Sequence, residues 1–259
     1  MIDSHCHLAD AAFAGDLADV VERARAAGLA HALVILAAGD EAEGTRAARL
    51  AELWDGVRFA IGVHPHQAKD FAGRAGEIEA VLEAALAANA RIRAIGEVGL
   101  DYHYDFSPRD VQHAVFRAQV AFARDRGLPL VIHTREATAD TFAVLRETGQ
   151  GRVRGVFHCF TGDAAMAREA LAIGFHISFA GIITFPKAPE LRHIAAWVPE
   201  GQFLIETDAP YLAPVPHRGK RNEPAWVTRV AEVIAEQRGV TRETIAAQAL
   251  ANFSALFAP

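Results

Sequence analysis

Cysteine is almost missing from this chain: Cys6 and Cys159 are the only two in 259 residues. Two cannot build a disulfide framework, and both adjoin histidines, so they read as buried, reduced thiols rather than ligands or nucleophiles. Lysine is nearly as scarce, with Lys69, Lys187 and Lys220 alone, and the formal net charge is -6. That balance excludes a broad basic surface for gripping duplex DNA, but leaves room for a phosphate site confined to one mouth. No apolar run approaches the roughly 20 residues needed to span a bilayer. The opening Met1-Ile2-Asp3-Ser4-His5 lacks a basic segment followed by an apolar one, so a soluble, cytoplasmic protein without membrane contact is expected. No obligate protein partner is evident. Pro/Gly-rich breaks are missing too, except from Ala209 to Pro224, which lies too deep in the pattern to separate domains and is a candidate functional loop.

What is present is alternation. β-Branched apolar segments at Met1 to His5, Ala32 to Leu36, Val57 to Val63, Ile92 to Val98, Leu128 to His133, Val153 to His158, His176 to Phe179 and Phe203 to Thr207 are separated by helix-patterned stretches. Eight such segments in a chain of this size predict an α/β fold, a single (β/α)8 TIM barrel domain over residues 1–259. Two of the helices have local support. Ser107-Pro108-Arg109-Asp110 resembles an N-cap with proline at the first helical position, ahead of a Val111, Val115, Ala118, Phe122 stripe that Gly127 ends. From Ala80 to Ala90 the alanine-rich run keeps Ile78, Leu82 and Leu86 on one face, so it is a helix and not a linker.

Metal-competent residues fall at the ends of these strands. His5 and His7, two apart in an extended segment, point to one side and can present both imidazoles to one ion. Glu97 ends strand 4, His133 strand 5, His158 strand 6 and Asp208 strand 8, the carboxyl-terminal face where barrel active sites sit. HxH alone is weakly specific, and a lone histidine in an apolar run such as His133 is more often structural; the combination is what carries the reading. Four imidazoles and two carboxylates exceed what one tetrahedral ion uses, and Glu97 has two oxygens that can bridge a pair, so two divalent ions are expected. Nitrogen and oxygen ligands do not distinguish Zn, Mn, Mg, Co or Ni.

Several motifs then occur in order: Ile2-Asp3-Ser4-His5-Cys6-His7-Leu8, Gly96-Glu97-Val98-Gly99-Leu100-Asp101-Tyr102, Pro129-Leu130-Val131-Ile132-His133-Thr134-Arg135, His158-Cys159-Phe160-Thr161-Gly162 and Glu206-Thr207-Asp208-Ala209-Pro210-Tyr211-Leu212. Along almost its full length the chain resembles the TatD family of metal-dependent deoxyribonucleases. The resemblance implies a (β/α)8 metallohydrolase that removes nucleotides from DNA, commonly as a 3′ to 5′ exonuclease. It also implies that His5, His7, Glu97 and Asp208 hold one metal and Glu97, His133 and His158 the other. One departure is Ala9, where the family usually carries an acid or amide; Asp10 is next to it.

Around this set, His64 resembles a family position near the metals, suited to substrate or an auxiliary ion, with His66 two residues on. Arg135 could clamp a phosphate, Tyr211 could stack on a base, and the loop cations Arg218 and Lys220 could touch the DNA backbone. Asp208 and Glu97 are the expected catalytic carboxylates, Asp208 accepting the proton of the attacking water. A mouth framed by loops on an acidic barrel favours single-stranded ends over rigid duplex. The competing enzyme reading is an amidohydrolase-like ester or amide hydrolase, such as a D-aminoacyl-tRNA deacylase. A purely structural metal protein is disfavoured, because structural sites are normally closed with four ligands.

Overall fold

The computed structural model describes residues 1–257. Eight parallel strands run β1 (Ile2–Cys6), β2 (His31–Ala37), β3 (Val57–Gly62), β4 (Ile92–Asp101), β5 (Leu130–Arg135), β6 (Gly155–Phe157), β7 (Phe175–Phe179) and β8 (Phe203–Ile205), each hydrogen-bonded to the next in sequence order. Between and after them lie α1 (Leu17–Ala26), α2 (Glu41–Leu53), α3 (Ile78–Ala88), α4 (Arg109–Arg126), α5 (Thr138–Gly149), α6 (Ala164–Ala172), α7 (Pro189–Trp197), α8 (Val227–Arg238) and α9 (Arg242–Phe257). The helices pack one stripe inward. In α1 that stripe is Leu17, Val20, Val21 and Ala24, buried at helical spacing.

The expected barrel is therefore present, and nearly closed. Its seam is joined where the site lies: the Asp208 amide donates to the His5 carbonyl at 2.9 Å, and the His7 amide to the Ala209 carbonyl at 2.7 Å. Buried Asp3 reinforces the seam, its Oδ1 accepting from the Thr207 amide at 3.0 Å and its Oδ2 from the Thr207 hydroxyl at 2.5 Å. Ser4 Oγ donates to the Ile205 carbonyl at 3.0 Å. Strand edges that would otherwise be left unpaired are thus satisfied partly by side chains.

Several expected boundaries shift. β4 does not stop at Val98 but continues to Asp101, and β5 runs past His133 to Arg135, because the two strands stay paired from Val98 with Ile132 to Asp101 with Arg135. β6 and β8 are shorter than expected, so His158 and Asp208 lie in the turns beyond them. Ser107 is not the cap of α4: Pro108 occupies that position and Ser107 Oγ donates instead to the His66 carbonyl at 3.0 Å. Gly127 does end α4, in the left-handed conformation at φ 65°. Its inward face also carries two buried glutamines the apolar stripe did not include, Gln112 and Gln119.

The register itself slips at the ligand positions. From Asp3 to Cys6, β1 advances three residues while β2 advances two, from Ala32 to Val34. β4 does the same against β5, Ile95 to Val98 facing Leu130 to Ile132. An extra residue in one strand re-aims side chains beside it, and His5 and Glu97 each lie inside such an irregularity. Gly99 explains why β4 can lie so near β5: at φ +149° its absent Cβ would stand 1.8 Å from the His133 carbonyl oxygen.

Candidate metal centre

The six residues expected to gather do so. His5 Nε2 and His7 Nε2 converge to 3.3 Å, as their two-residue spacing requires. Asp208 Oδ1 lies 3.4 Å from His7 Nε2 and 3.6 Å from His5 Nε2. Glu97 stands in the middle: Oε2 is 3.4 Å from His5 Nε2, while Oε1 is 2.8 Å from His133 Nδ1, 2.7 Å from His158 Nε2 and 3.3 Å from His64 Nε2. Asp208 reaches in from a left-handed backbone at φ 57°, an unfavourable conformation for a residue with a Cβ, of the kind that functional sites retain.

Two further carboxylates belong to the cluster. Asp101, fully buried, has Oδ2 3.1 Å from His133 Nε2 and 2.9 Å from His66 Nε2, and its Oδ1 accepts from the amides of His103 and Tyr104, each at 3.0 Å. Glu206 accepts from the Cys159 amide at 2.7 Å and lies 3.5 Å from His158 Nδ1. Both stood inside recognisable motifs. The same-face argument that paired His5 with His7 would have paired Glu206 with Asp208; Asp101, beyond the expected end of strand 4, gave no comparable signal.

Charge in the centre is mutually stabilised. Burial works to raise the Glu97 carboxyl, but His158, His64 and His133 outweigh it and hold it well below the usual carboxylate range. Burial would lower His158; Glu97 and Glu206 prevail and raise it well above the ordinary imidazole range. Burial wins at His5, which is lowered, and at His64, lowered to about 4, so these two rings are neutral near pH 7 and have lone pairs to give. Asp208 is lowered and ionised, the hydrogen bond from His7 overcoming its burial.

These residues fit a metal. Ligating atoms of His5, His7 and Glu97, of His5, His158 and Glu206, and of His64, Glu97 and His133 each lie within 4.8 Å of one another. His5 Nδ1 and Glu206 Oε2 are buried without a hydrogen-bond partner, and a protonated His158 between two acids supplies the positive charge that a cation would.

The surrounding cavity measures about 1080 Å³. His64, Arg135 and Tyr211 line it, as do Asp10, Glu43 and His66. Arg218 and Lys220 do not: Arg218 lies over the Phe185 ring, 3.9 Å from its centroid, and donates to the Ala213 carbonyl, while Lys220 is exposed beyond it. Cys6 is buried as expected, but Cys159 is only half-buried and lines the cavity, because the chain turns there at φ 42° instead of continuing β6.

Six of the eight strands, β1, β3, β4, β5, β6 and β8, deliver these donors to one mouth, and comparison with known proteins is decisive. The family model described as TatD related DNase matches residues 2–258. This chain belongs to the TatD family. It is 42% identical over 257 residues to YabD of Bacillus subtilis, an uncharacterized metal-dependent hydrolase, covering 99% of this chain and 98% of that one. To the 3′-5′ ssDNA/RNA exonuclease TatD of Klebsiella pneumoniae it is 35% identical over 265 residues, covering 99% and 97% of the two chains. The crystal structure of YjjV, a TatD homologue of Escherichia coli K12, superposes with a TM-score of 0.88 at 29% identity, covering 100% and 98%. The protein is thus a TatD-family metal-dependent hydrolase. Among the described residues no helix is long and apolar enough to cross a membrane.

Proposed function

We propose that this TatD-family hydrolase removes nucleotides from the 3′ end of DNA, with preference for single-stranded ends, at a centre that takes two divalent ions. The observation that carries the reading is the position of Glu97, whose two oxygens face different groups of donors. His5, His7, Glu97 and Asp208 would hold one ion, and Glu97, His133 and His158 the other, with His64 adjoining; Zn, Mn, Mg, Co and Ni all suit this donor set. When bound, such ions supply Lewis acidity, lowering the pKa of a water and drawing charge from a phosphodiester.

The rest of the chemistry belongs to the chain. Asp208, held ionised, is the carboxylate that accepts the proton of the attacking water. Arg135 on the cavity wall orients the phosphate, and Asp101 and Glu206 fix the rings of His133 and His158 from behind. The cavity wall carries Asp10, Asp40, Glu43, Glu97, Asp101 and Asp208 against Arg46, Arg135 and the protonated His158. Acids outnumber these cations and disfavour a phosphate, so divalent ions should be required for substrate binding as well as for turnover.

A labelled single strand, assayed beside closed circular duplex, a D-aminoacyl-tRNA and a lactone panel, with and without chelator, tests the proposal. Mononucleotides released from the 3′ end, only with divalent ions, are the expected result. Relaxation of the circle with no advantage for the linear strand would replace it with endonuclease action. The ester or amide hydrolase reading draws support from Arg218 and Lys220 lying outside the cavity wall, and turnover confined to the aminoacyl ester or lactones would establish it instead.

A further inference from the structure

Large apolar side chains are normally buried, and a group of them displayed together marks a contact surface. Among the described residues such side chains are exposed at Tyr104, Phe106, Tyr211 and Val240. Tyr104 and Tyr211 line the cavity at the metal centre, and Phe106 stands beside Tyr104. Tyr104 and Phe106, 46% and 54% exposed, stand in the loop between β4 and α4, their rings 5.3 Å apart and within 11° of parallel. Arg135 places its guanidinium 4.7 Å from the Tyr104 ring centroid. The pair is linked to the centre through rings: His66 meets Phe106 edge-on at 4.8 Å and Tyr104 at 5.5 Å, and His64 lies 4.3 Å from His66 and 4.7 Å from His133.

The loop is held so that this display is built in advance. Asp101 Oδ1 accepts the amides of His103 and Tyr104 at one end. At the other, Ser107 Oγ accepts from the Lys69 amide at 3.0 Å and Gln112 Nε2 donates to the Ser107 carbonyl at 2.9 Å. The half of each ring left in water adds nothing to burial, whereas a flat partner can cover it without first ordering the loop.

We infer that Tyr104 and Phe106, with Arg135 beside them, form a stacking platform for a nucleobase of the strand whose phosphate lies at the Glu97 centre. This rests on the nucleic-acid reading above and adds to it a base-binding subsite. Every base has a π-face, so the platform tolerates sequence and selects for bases that are unpaired. A duplex end would have to fray before using it, which gives a physical source for single-strand preference. Arg135 would serve both partners, lying on the ring and meeting the adjoining phosphate.

The test uses the metal-loaded protein and single-stranded oligonucleotides carrying 2-aminopurine at each of the three 3′-terminal positions in turn, with matching strands made abasic there. Wild type should quench the probe at one position and lose about tenfold in kcat/KM when that base is removed, mostly through KM. The Tyr104→Ala, Phe106→Ala double variant should lose the quenching, and its abasic penalty should shrink to less than about twofold; Phe106→Trp should keep both. Cleavage without quenching, or an abasic penalty as large in the double variant as in wild type, would overturn the platform. Quenching without cleavage would support the platform while overturning the exonuclease reading, and the absence of both would overturn each.

Discussion

Two loops frame the mouth of this barrel, and they use their residues in opposite ways. The loop after β4 (102–108) turns rings outward: Tyr104 and Phe106 face solvent above a backbone held by Asp101. The loop after β8 (206–223) is rich in charge, yet it spends much of that charge on itself and its neighbours. Arg221 donates to both oxygens of Asp16 at 2.8 and 2.6 Å and covers the Phe13 ring. Buried Glu223 takes a forked contact from Arg23, 2.9 Å from Nε and 2.7 Å from Nη2. Asn222 donates to the carbonyls of Thr207 and Tyr211 at 2.8 and 2.7 Å, fastening the loop beneath the site. Charge in a sequence segment therefore does not by itself mark a ligand contact, since an arginine near an unpaired acid settles there first. Exposed rings carry the stronger indication, because about half of each of Tyr104 and Phe106 stays uncovered despite their neighbours.

The sharpest test of whether the chemistry belongs to the strands or to these loops is Glu97→Gln. It should lower kcat/KM on single-stranded DNA by at least about a hundredfold and reduce bound metal, with both loops intact; metal analysis and circular dichroism on the same sample check it. Next is Asp101→Asn, at the base of the β4 loop. Asp101 stays ionised because its hydrogen bonds and the neighbouring histidines outweigh its burial, so the amide should loosen both His133 and the loop, weakening metal affinity or activity by about ten- to a hundredfold. Metal titration followed by steady-state kinetics would measure it, and an unchanged affinity with unchanged rate would return the β4 loop to an ordinary connection.

The comparison of cations is a smaller effect with a clear sign. Arg135→Ala should reduce the slope of log affinity against log salt by roughly 0.7, the value for one phosphate contact on a single strand. Arg218→Ala with Lys220→Ala should leave that slope nearly unchanged, since neither side chain lines the cavity; an equal reduction in both variants would erase the distinction between the loops. Smallest is Glu223→Gln, which weakens the paired contact with half-exposed Arg23. A loss of about 1 kcal/mol, read as a Tm lower by roughly 2–4 °C, is expected with little change in turnover.

Most of the architecture was legible in the residues. Alternating β and helical periods specify a parallel barrel, because each strand needs a crossover before the next, and period-two spacing brings His5 and His7 to one side. The strand-end order of Glu97, His133, His158 and Asp208 likewise follows from chain direction: parallel strands all present the same end to the same mouth. Less legible were the strand ends themselves and the cap of α4, where Ser107 Oγ bonds across to the segment that follows β3 instead of to its own helix.

What the amino-acid sequence by itself determined, then, is the alternation of elements and the residue types available at one face, both set by local periodicity and chain direction. The tertiary structure alone decided the register slips that aim His5 and Glu97, the recruitment of Asp101 and Glu206 behind the imidazoles, and the diversion of Arg221 to Asp16 and Arg23 to Glu223. Those outcomes depend on partners distant in sequence, from 32 positions for Asp101 and His133 to 200 for Arg23 and Glu223. Only the closed barrel sets such distances, and only distance decides whether a charge finds an ion, an acid or water.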